Sequence, residues 1–85
     1  MGYSVVFKPS AQRALDELPK VERVRMIAAL ERLSENPRRS GVVKLEAAYD
    51  LYRLRVGNLR AVFTIEDERL VVLVLKIGHR REVYR

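Results

Sequence analysis

The 85-residue sequence contains no cysteine and only one histidine, and each shortage excludes a class of site. Without cysteine the chain can form neither disulfides nor thiolate-bound metal sites, and one histidine cannot form a histidine-rich metal site. The lack of cysteine fits a cytoplasmic protein, which is the location we expect. The sequence also lacks a signal-peptide pattern and any run of about 18 apolar residues, so we expect no membrane segment.

The length and the apolar content set the size of the fold. Eighty-five residues are enough for one small domain and leave no room for a second, so we expect a single domain over residues 1–85. An apolar fraction of 48% is typical of a globular chain, and it predicts a small but real hydrophobic core.

Positive charge is in excess, and it is distributed unevenly. The formal net charge is +6; residues 1–36 carry six Lys and Arg against five Asp and Glu, whereas residues 37–85 carry eleven against six. Thirteen of the 17 basic residues are arginine, which favours planar, bidentate contact with phosphate. The imbalance indicates a polyanionic partner without distinguishing RNA, DNA, an acidic protein or an anionic membrane.

Residues 52–63 organise the rest of the chain, because their alternation predicts two strands joined by a tight turn. Gly57-Asn58 suits a two-residue hairpin turn, in which the first position takes a left-handed conformation. The apolar residues of both strands then lie on one face. The predicted cross-strand pairs are Val56 with Leu59, Arg55 with Arg60, Leu54 with Ala61 and Arg53 with Val62.

This register groups three arginines on the other face of the hairpin. Arg55 lies directly opposite Arg60, and Arg53 lies two residues away on the same face. Like charges directly opposite one another destabilise a sheet by roughly 0.2–1 kcal/mol, and arginine does not lose its proton in proteins. A phosphate site would relieve the repulsion, and nucleic acid is the first candidate; a solvated basic face is the alternative.

The first half of the chain predicts a strand and two helices. Residues 3–7 are β-branched and aromatic, as in a strand. Pro9 suits the start of a first helix, and Pro19 separates it from a second helix over residues 20–35. The expected apolar stripe of the second helix consists of Val24, Ile27, Leu30 and Leu33, and it is widened by Met26.

The second half adds strands to this pattern. Residues 37–48 have the composition of a loop, and residues 70–77 read as a central strand covered on most of both faces, which Gly78 then ends. The predicted fold class is α+β with the order βααβββ: an N-terminal strand and a two-helix hairpin packed on a small, mostly antiparallel sheet. Tyr49 and Tyr52 are expected to cap the core.

Two segments carry a resemblance to a known family. The runs Tyr-Arg-Leu-Arg-Val-Gly-Asn-Leu-Arg at 52–60 and Gly-His-Arg-Arg-Glu-Val-Tyr at 78–84 resemble the RelE family of the RelE/ParE toxin–antitoxin superfamily. The length and the element order match as well, so the resemblance covers essentially the whole chain as a single RelE-like toxin domain.

The resemblance implies a metal-independent endoribonuclease, an mRNA interferase that cleaves mRNA in the decoding site of the ribosome without a cofactor. In such toxins the nucleotide's own 2′-OH attacks the adjacent phosphate and leaves a 2′,3′-cyclic phosphate. The implied partners are mRNA, the ribosome with its rRNA, and a cognate antitoxin that wraps and neutralises the toxin; the toxin–antitoxin complex would bind operator DNA.

The family's catalytic positions match five residues of this sequence, namely Arg53, Arg55, Arg60, Arg80 and Tyr84. Leu59 stands where the family often has tyrosine, so a stacking role is lost at that position. Secondary RNA contacts are expected from His79, Arg81, Arg85 and Lys44. Because the pKa of arginine lies far above neutrality, the candidates for proton transfer are Tyr84 and His79, and the sequence does not choose between them.

Three alternatives remain at this point. The first is a ParE-like toxin that inhibits DNA gyrase and cuts no RNA, although that branch tends to lack the pair Arg80 and Tyr84. The second is a non-catalytic nucleic-acid-binding module that uses the basic face of the sheet. The third is an inactive relative that is kept as a binding partner.

Overall fold

The computed structural model describes residues 2–46 and 50–79, which form two helices and one five-stranded sheet. The elements are β1 (Ser4–Phe7), α1 (Pro9–Asp16), α2 (Lys20–Leu33), β2 (Val42–Glu46), β3 (Leu51–Val56), β4 (Leu59–Glu66) and β5 (Val71–His79). The strand order is β1-β5-β4-β3-β2, and every pair is antiparallel except β1 with β5. This confirms the predicted α+β class, with a helical pair on a mostly antiparallel sheet.

The two helices begin at prolines and cover one face of the sheet. Pro9 is the first residue of α1, and Pro19 immediately precedes α2, so neither ring removes a hydrogen bond from a helix interior. The buried stripe of α2 consists of Met26, Leu30 and Leu33, which differs from the predicted stripe. Val24 and Ile27 are 56% and 38% exposed, because Met26 rather than these two residues points at the sheet.

One strand was not predicted. The segment 37–48, interpreted from sequence as a loop, contains β2, which pairs with β3 through Val42↔Leu54 and Lys44↔Tyr52. The interpretation was wrong because β2 is an edge strand whose side chains stay largely in solvent; Val43 is 44% exposed. An edge strand is held by backbone pairing more than by burial, so its hydrophobic pattern is weak.

The hairpin of β3 and β4 has the predicted register in all four pairs. Val56 pairs with Leu59, and Arg55 pairs with Arg60. Gly57 has a φ of 60°, which a side-chain-bearing residue adopts at a cost, so glycine suits the first position of this turn.

β5 departs from the predicted strand in two ways. It continues through Gly78 to His79, so Gly78 does not end it. It is internal as predicted, but only Val72, Val74 and Ile77 are fully buried, and they face the helices. A bulge opposite Val62 and Phe63 shifts the alternation, so that the buried positions move from even to odd numbers along β5.

The core lies between the helices and this face of the sheet. Its largest fully buried side chains are Phe63, Met26, Leu33, Leu59, Val72 and Val74. Neither described helix has the length and the apolar composition that a membrane crossing needs.

Candidate functional site

Four basic residues lie on the sheet face that points away from the helices. Arg53 pairs with Val62, and Arg55 pairs with Arg60. Directly paired residues of antiparallel strands project to the same side. Because Leu54 and Ala61 belong to the helix-covered core, their neighbours Arg53, Arg55 and Arg60 project to the opposite side. We call this surface the arginine face; it consists of Arg53, Arg55, Arg60 and Lys76.

The three arginines differ in exposure because their strands differ in position. Arg60 lies on β4, which buries residues on both sides from Leu59 to Phe63, and it is only 7% exposed. Arg53 on β3 is half-buried, and Arg55 near the end of β3 is exposed. The arginine face therefore has a desolvated guanidinium at its centre and more exposed ones at its rim. A fixed charge in a low-dielectric site acts on a ligand more strongly than a solvated one.

Lys76 joins the arginine face through the bulge in β5. Lys76 pairs with Val62, whereas the next pair is Phe63 with Val74, so Leu75 is the additional residue. Strict alternation from Val72 and Val74 would have turned Lys76 toward the helices. The bulge instead leaves Lys76 exposed and buries Ile77. Lys76 could not be assigned to this face from the sequence, because nothing in the apolar run of β5 marks the bulge.

Gly78 lies next to the buried arginine. It pairs with Arg60, so the residue that lies directly across from Arg60 on β5 has no side chain. At this position β5 therefore places no Cβ atom beside Arg60, which is a feature of strands that another chain or a ligand approaches closely.

The charges of the rim are not neutralised within the described part of the chain. Over residues 2–46 and 50–79, the side-chain ion pairs are Arg38–Asp67 at 2.9 Å, Lys44–Asp50 at 3.5 Å and Arg69–Glu66 at 2.9 Å. None of them involves Arg53, Arg55 or Lys76. The arginine face is thus a concentrated positive surface that can attract a polyanion.

The structure separates two of the predicted RNA contacts from this face. Lys44 pairs with Tyr52, which projects toward the core, and its Nζ lies 6.0 Å from the Tyr52 ring centroid as well as 3.5 Å from Asp50. His79 is exposed at the end of β5 and pairs with Leu59 of the helix-covered face. The predicted site residues Arg80, Arg81, Tyr84 and Arg85 lie outside the described residues, as does Tyr49.

A polar network at the opposite end of the sheet was also missed by the sequence analysis. Arg38 makes two hydrogen bonds of 2.9 Å to Asp67, and the Tyr3 hydroxyl donates to the same carboxylate at 2.6 Å. The hydrogen bonds from Arg38 and Tyr3 lower the pKa of Asp67 to about 2, and the bond to Asp67 raises the pKa of Tyr3.

This network sits against the aromatic end of the core. The Arg38 guanidinium lies 5.5 Å from the Tyr52 ring centroid, and Tyr52 in turn stacks on Phe63 at 5.9 Å. Tyr52 is 7% exposed, which confirms that it caps the core. The network ties the loop after α2 to the β4–β5 turn, 29 residues away, so its role is structural.

Metal binding finds no support in the described residues. No three His, Asp or Glu side chains within residues 2–46 and 50–79 lie close enough together to hold a metal ion. The guanidinium and ammonium groups of the arginine face can bind phosphate and stabilise its charge.

Comparison with known proteins gives consistent matches over nearly the whole chain. Residues 5–84 match the family model of the ParE toxin of the type II toxin–antitoxin system parDE. Toxin RelG of Mycobacterium tuberculosis is 32% identical over 90 residues, which cover 100% of this chain and 99% of RelG.

Solved structures agree with these matches. A chain from the archaeal RelE–RelB complex of Pyrococcus horikoshii OT3 superposes with a TM-score of 0.82 at 32% identity, covering 94% of this chain and 97% of that one. A chain from the toxin–antitoxin complex RelBE2 of Mycobacterium tuberculosis gives a TM-score of 0.82 at 28% identity, with coverages of 94% and 100%. The chain therefore belongs to the RelE family of toxins of type II toxin–antitoxin systems.

Proposed function

We propose that the chain is a ribosome-dependent endoribonuclease that cleaves mRNA at the arginine face. The observation that carries this proposal is the convergence of Arg53, Arg55, Arg60 and Lys76 from three adjacent strands, with a glycine paired directly across from Arg60. The RelE family supplies the substrate class, and the geometry supplies a place where a phosphodiester can be held.

The reaction needs no group other than the RNA and protein side chains. The 2′-OH of one nucleotide loses its proton and attacks the adjacent phosphorus. The bond from phosphorus to the 5′-oxygen breaks, and that oxygen takes up a proton. The products are a 2′,3′-cyclic phosphate and a free 5′-OH.

Arg60 is the residue to which we assign stabilisation of the pentavalent phosphate. Charge develops on the phosphoryl oxygens in the transition state, and a fixed guanidinium that is already desolvated stabilises it without reorganisation of water. Arg60 has these properties because it is 7% exposed at the centre of the sheet. Arg53, Arg55 and Lys76 on the rim would hold the flanking phosphates and so position the strand.

Proton transfer is assigned to groups outside the arginines, since a guanidinium does not release its proton near neutral pH. The family resemblance adds Arg80 as a further phosphate ligand and Tyr84 as a group that stacks on a base or assists proton transfer. With a phenol as the acid–base group, chemistry at neutral pH depends mainly on positioning. We therefore propose that the ribosome supplies the orientation of the mRNA.

We also propose a cognate antitoxin as partner, with operator DNA as the target of the complex. The two solved neighbours above are toxin–antitoxin complexes. A groove of about 440 Å³ between β1, α1 and α2 suits an amphipathic antitoxin segment, because its apolar lining includes Phe7, Leu15 and Ile27.

Ile27→Lys should weaken antitoxin binding at least tenfold by calorimetry, while Arg13→Gln should not; equal binding by both would remove the groove from the proposal.

The cleavage proposal is tested by translating a defined mRNA in a purified system and mapping 5′ ends by primer extension. Wild-type protein should give cuts at a fixed position within codons, and Arg60→Ala should lose at least tenfold activity. Arg13→Gln, an exposed charge change on α1, is the matched control and should cleave normally. Unchanged cleavage by Arg60→Ala would overturn the site assignment.

A second candidate is inhibition of DNA gyrase, because the family model that matches residues 5–84 describes ParE toxins. The same preparations should then be added to a gyrase supercoiling assay. Intact mRNA together with blocked supercoiling would replace the ribonuclease proposal with this one. Nucleic-acid binding without either activity would leave the arginine face as a binding module.

A further inference from the structure

A second basic surface lies beside the arginine face, between α2 and the end of β3. Pairing of β2 with β3 begins at Val42↔Leu54, so Arg55 and Val56 extend past the edge strand. Next to them is a groove of about 410 Å³. Four of its lining residues are arginines from α2, the loop after α2 and β3: Arg25, Arg32, Arg39 and Arg55. We call it the α2 groove.

The lining of the α2 groove fits an anion. No acidic residue within residues 2–46 and 50–79 lines it, and its remaining lining includes the small residues Ala28, Ala29 and Gly41. None of its arginines takes part in the ion pairs formed within the described chain. Glu22 lines a neighbouring depression together with Arg25. A concave surface with one sign of charge concentrates its field on a ligand.

The shape and the position of the groove select a long polyanion. Arg25 and Arg32 are seven residues apart on one helix, two turns or about 10 Å along its axis. Arg55 belongs both to the α2 groove and to the arginine face, where it lies across from Arg60. A polyanion that passes over Arg55 can therefore contact the α2 groove and the arginine face together, whereas a single phosphate cannot.

We propose that the α2 groove binds the phosphodiester backbone of RNA as a continuation of the cleavage face. This inference rests on the proposed function, because that function places RNA at Arg60. An antitoxin helix is a poorer fit, since helix-in-groove recognition uses apolar pockets for several anchors and this lining is mainly arginine and small residues. The backbone belongs either to the mRNA strand that leaves the site or to ribosomal RNA.

The test compares a groove variant, Arg25→Gln/Arg32→Gln, with Arg13→Gln/Lys20→Gln, which removes two charges from exposed helix positions outside the groove. Binding is measured by fluorescence anisotropy with a 20-nucleotide single-stranded RNA and by co-sedimentation with purified 30S subunits. Each lost phosphate contact reduces the salt slope of a single-strand complex by about 0.7. The groove variant should therefore lose at least tenfold affinity and about 1.4 in slope, while the control pair should change less than threefold.

The two binding measurements distinguish mRNA from ribosomal RNA as the bound strand, and a measurement of antitoxin binding distinguishes RNA from antitoxin as the occupant of the groove. Loss of affinity for both ligands identifies the mRNA strand, and loss for 30S subunits alone identifies ribosomal RNA. A groove variant that matches the control on both ligands overturns the proposal, as does weakened binding of the antitoxin with unchanged binding of both RNAs. Loss of RNA binding in a protein whose wild type cleaves no mRNA would keep the groove as an RNA site and reject the cleavage proposal separately.

Discussion

The Arg55–Arg60 pair should destabilise the free protein, and the size of this effect can be predicted. The two residues lie directly opposite one another on β3 and β4. A double-mutant cycle with Arg55→Gln and Arg60→Met measures their coupling while the apolar stem at position 60 is kept. If the side chains repel, Arg55→Gln stabilises the wild-type background more than it stabilises the Arg60→Met background.

For an assumed separation of about 7 Å, two unit charges repel by ~0.6 kcal/mol in water and by ~2 kcal/mol at an effective dielectric constant of about 20. Arg60 is buried and Arg55 is exposed, so the pair lies between these limits, and side-chain motion of Arg55 reduces the repulsion. Cross-strand pairs fall at roughly 0.2–1 kcal/mol. We expect a coupling free energy of ~0.5–1 kcal/mol, which for a domain of this size is a difference of about 2–8 °C in melting temperature.

The coupling is measured by urea unfolding of the four proteins at about 0.1 M and 1 M sodium chloride, between which the screening length falls from about 10 Å to about 3 Å. The coupling should fall by more than half at high salt. Arg13→Gln in the wild-type and Arg60→Met backgrounds is the control and should show no coupling, since Arg13 lies on α1. A coupling near zero at low salt, or one of opposite sign, would refute the view that this face is electrostatically strained without an anion.

Three further predictions concern the polar network at one end of the sheet, the glycine across from Arg60, and the core. Asp67→Asn should lower the melting temperature at neutral pH, and the difference from wild type should disappear as the pH falls from about 4 to about 2. The reason is that the pKa of Asp67 in the folded protein is depressed to about 2, so that its stabilising hydrogen bonds are lost when it is protonated. A difference in melting temperature that persists below pH 2 would contradict this. Gly78→Val should keep the fold, because Gly78 is not among the positive-φ residues and valine favours strands. The same change should reduce RNA affinity at least tenfold, because it places methyl groups across from Arg60. Thr64→Val is the control. Phe63→Ala should cost about 3–5 kcal/mol in urea unfolding, because Phe63 is fully buried, and a cost below about 1 kcal/mol would mean that the core is packed otherwise.

The features of the fold that could be predicted from sequence are those that depend on local periodicity. The hairpin register followed from a period of two and a Gly-Asn turn, and all of its predicted pairs are present. The prolines at positions 9 and 19 located both helix starts. The strand at 42–46 could not be predicted, because an edge strand gains its order from the backbone of β3 rather than from its own burial. The buried stripe of α2 could not be predicted either, because the alternative stripes are similarly apolar and only packing on the sheet selects one.

The same distinction applies to the candidate site. Arg53, Arg55 and Arg60 could be grouped from the sequence because one hairpin carries all of them. Lys76 joins them only through a bulge, which depends on how β5 packs beneath the helices. The pairing of Arg38 with Asp67 and the assembly of Arg25, Arg39 and Arg55 around one groove bring together distant segments, so no local pattern marks them. The roles of Arg80 and Tyr84 stay predictions of the family resemblance.

The two faces of the sheet divide stability and recognition between them. The helix-covered face contains Phe63, Val72 and Val74, and this core supplies the hydrophobic stabilisation of the described chain. Because stability comes from that side, the other side can tolerate a cluster of like charges. A polyanion that bound this face would relieve the repulsion, so under the proposed function RNA binding and folding stability are thermodynamically linked. If the chain binds RNA as proposed, substitutions that remove the exposed charge of Arg55 should stabilise the free protein while they weaken RNA binding, and a search for stabilised variants should recover changes at Arg55.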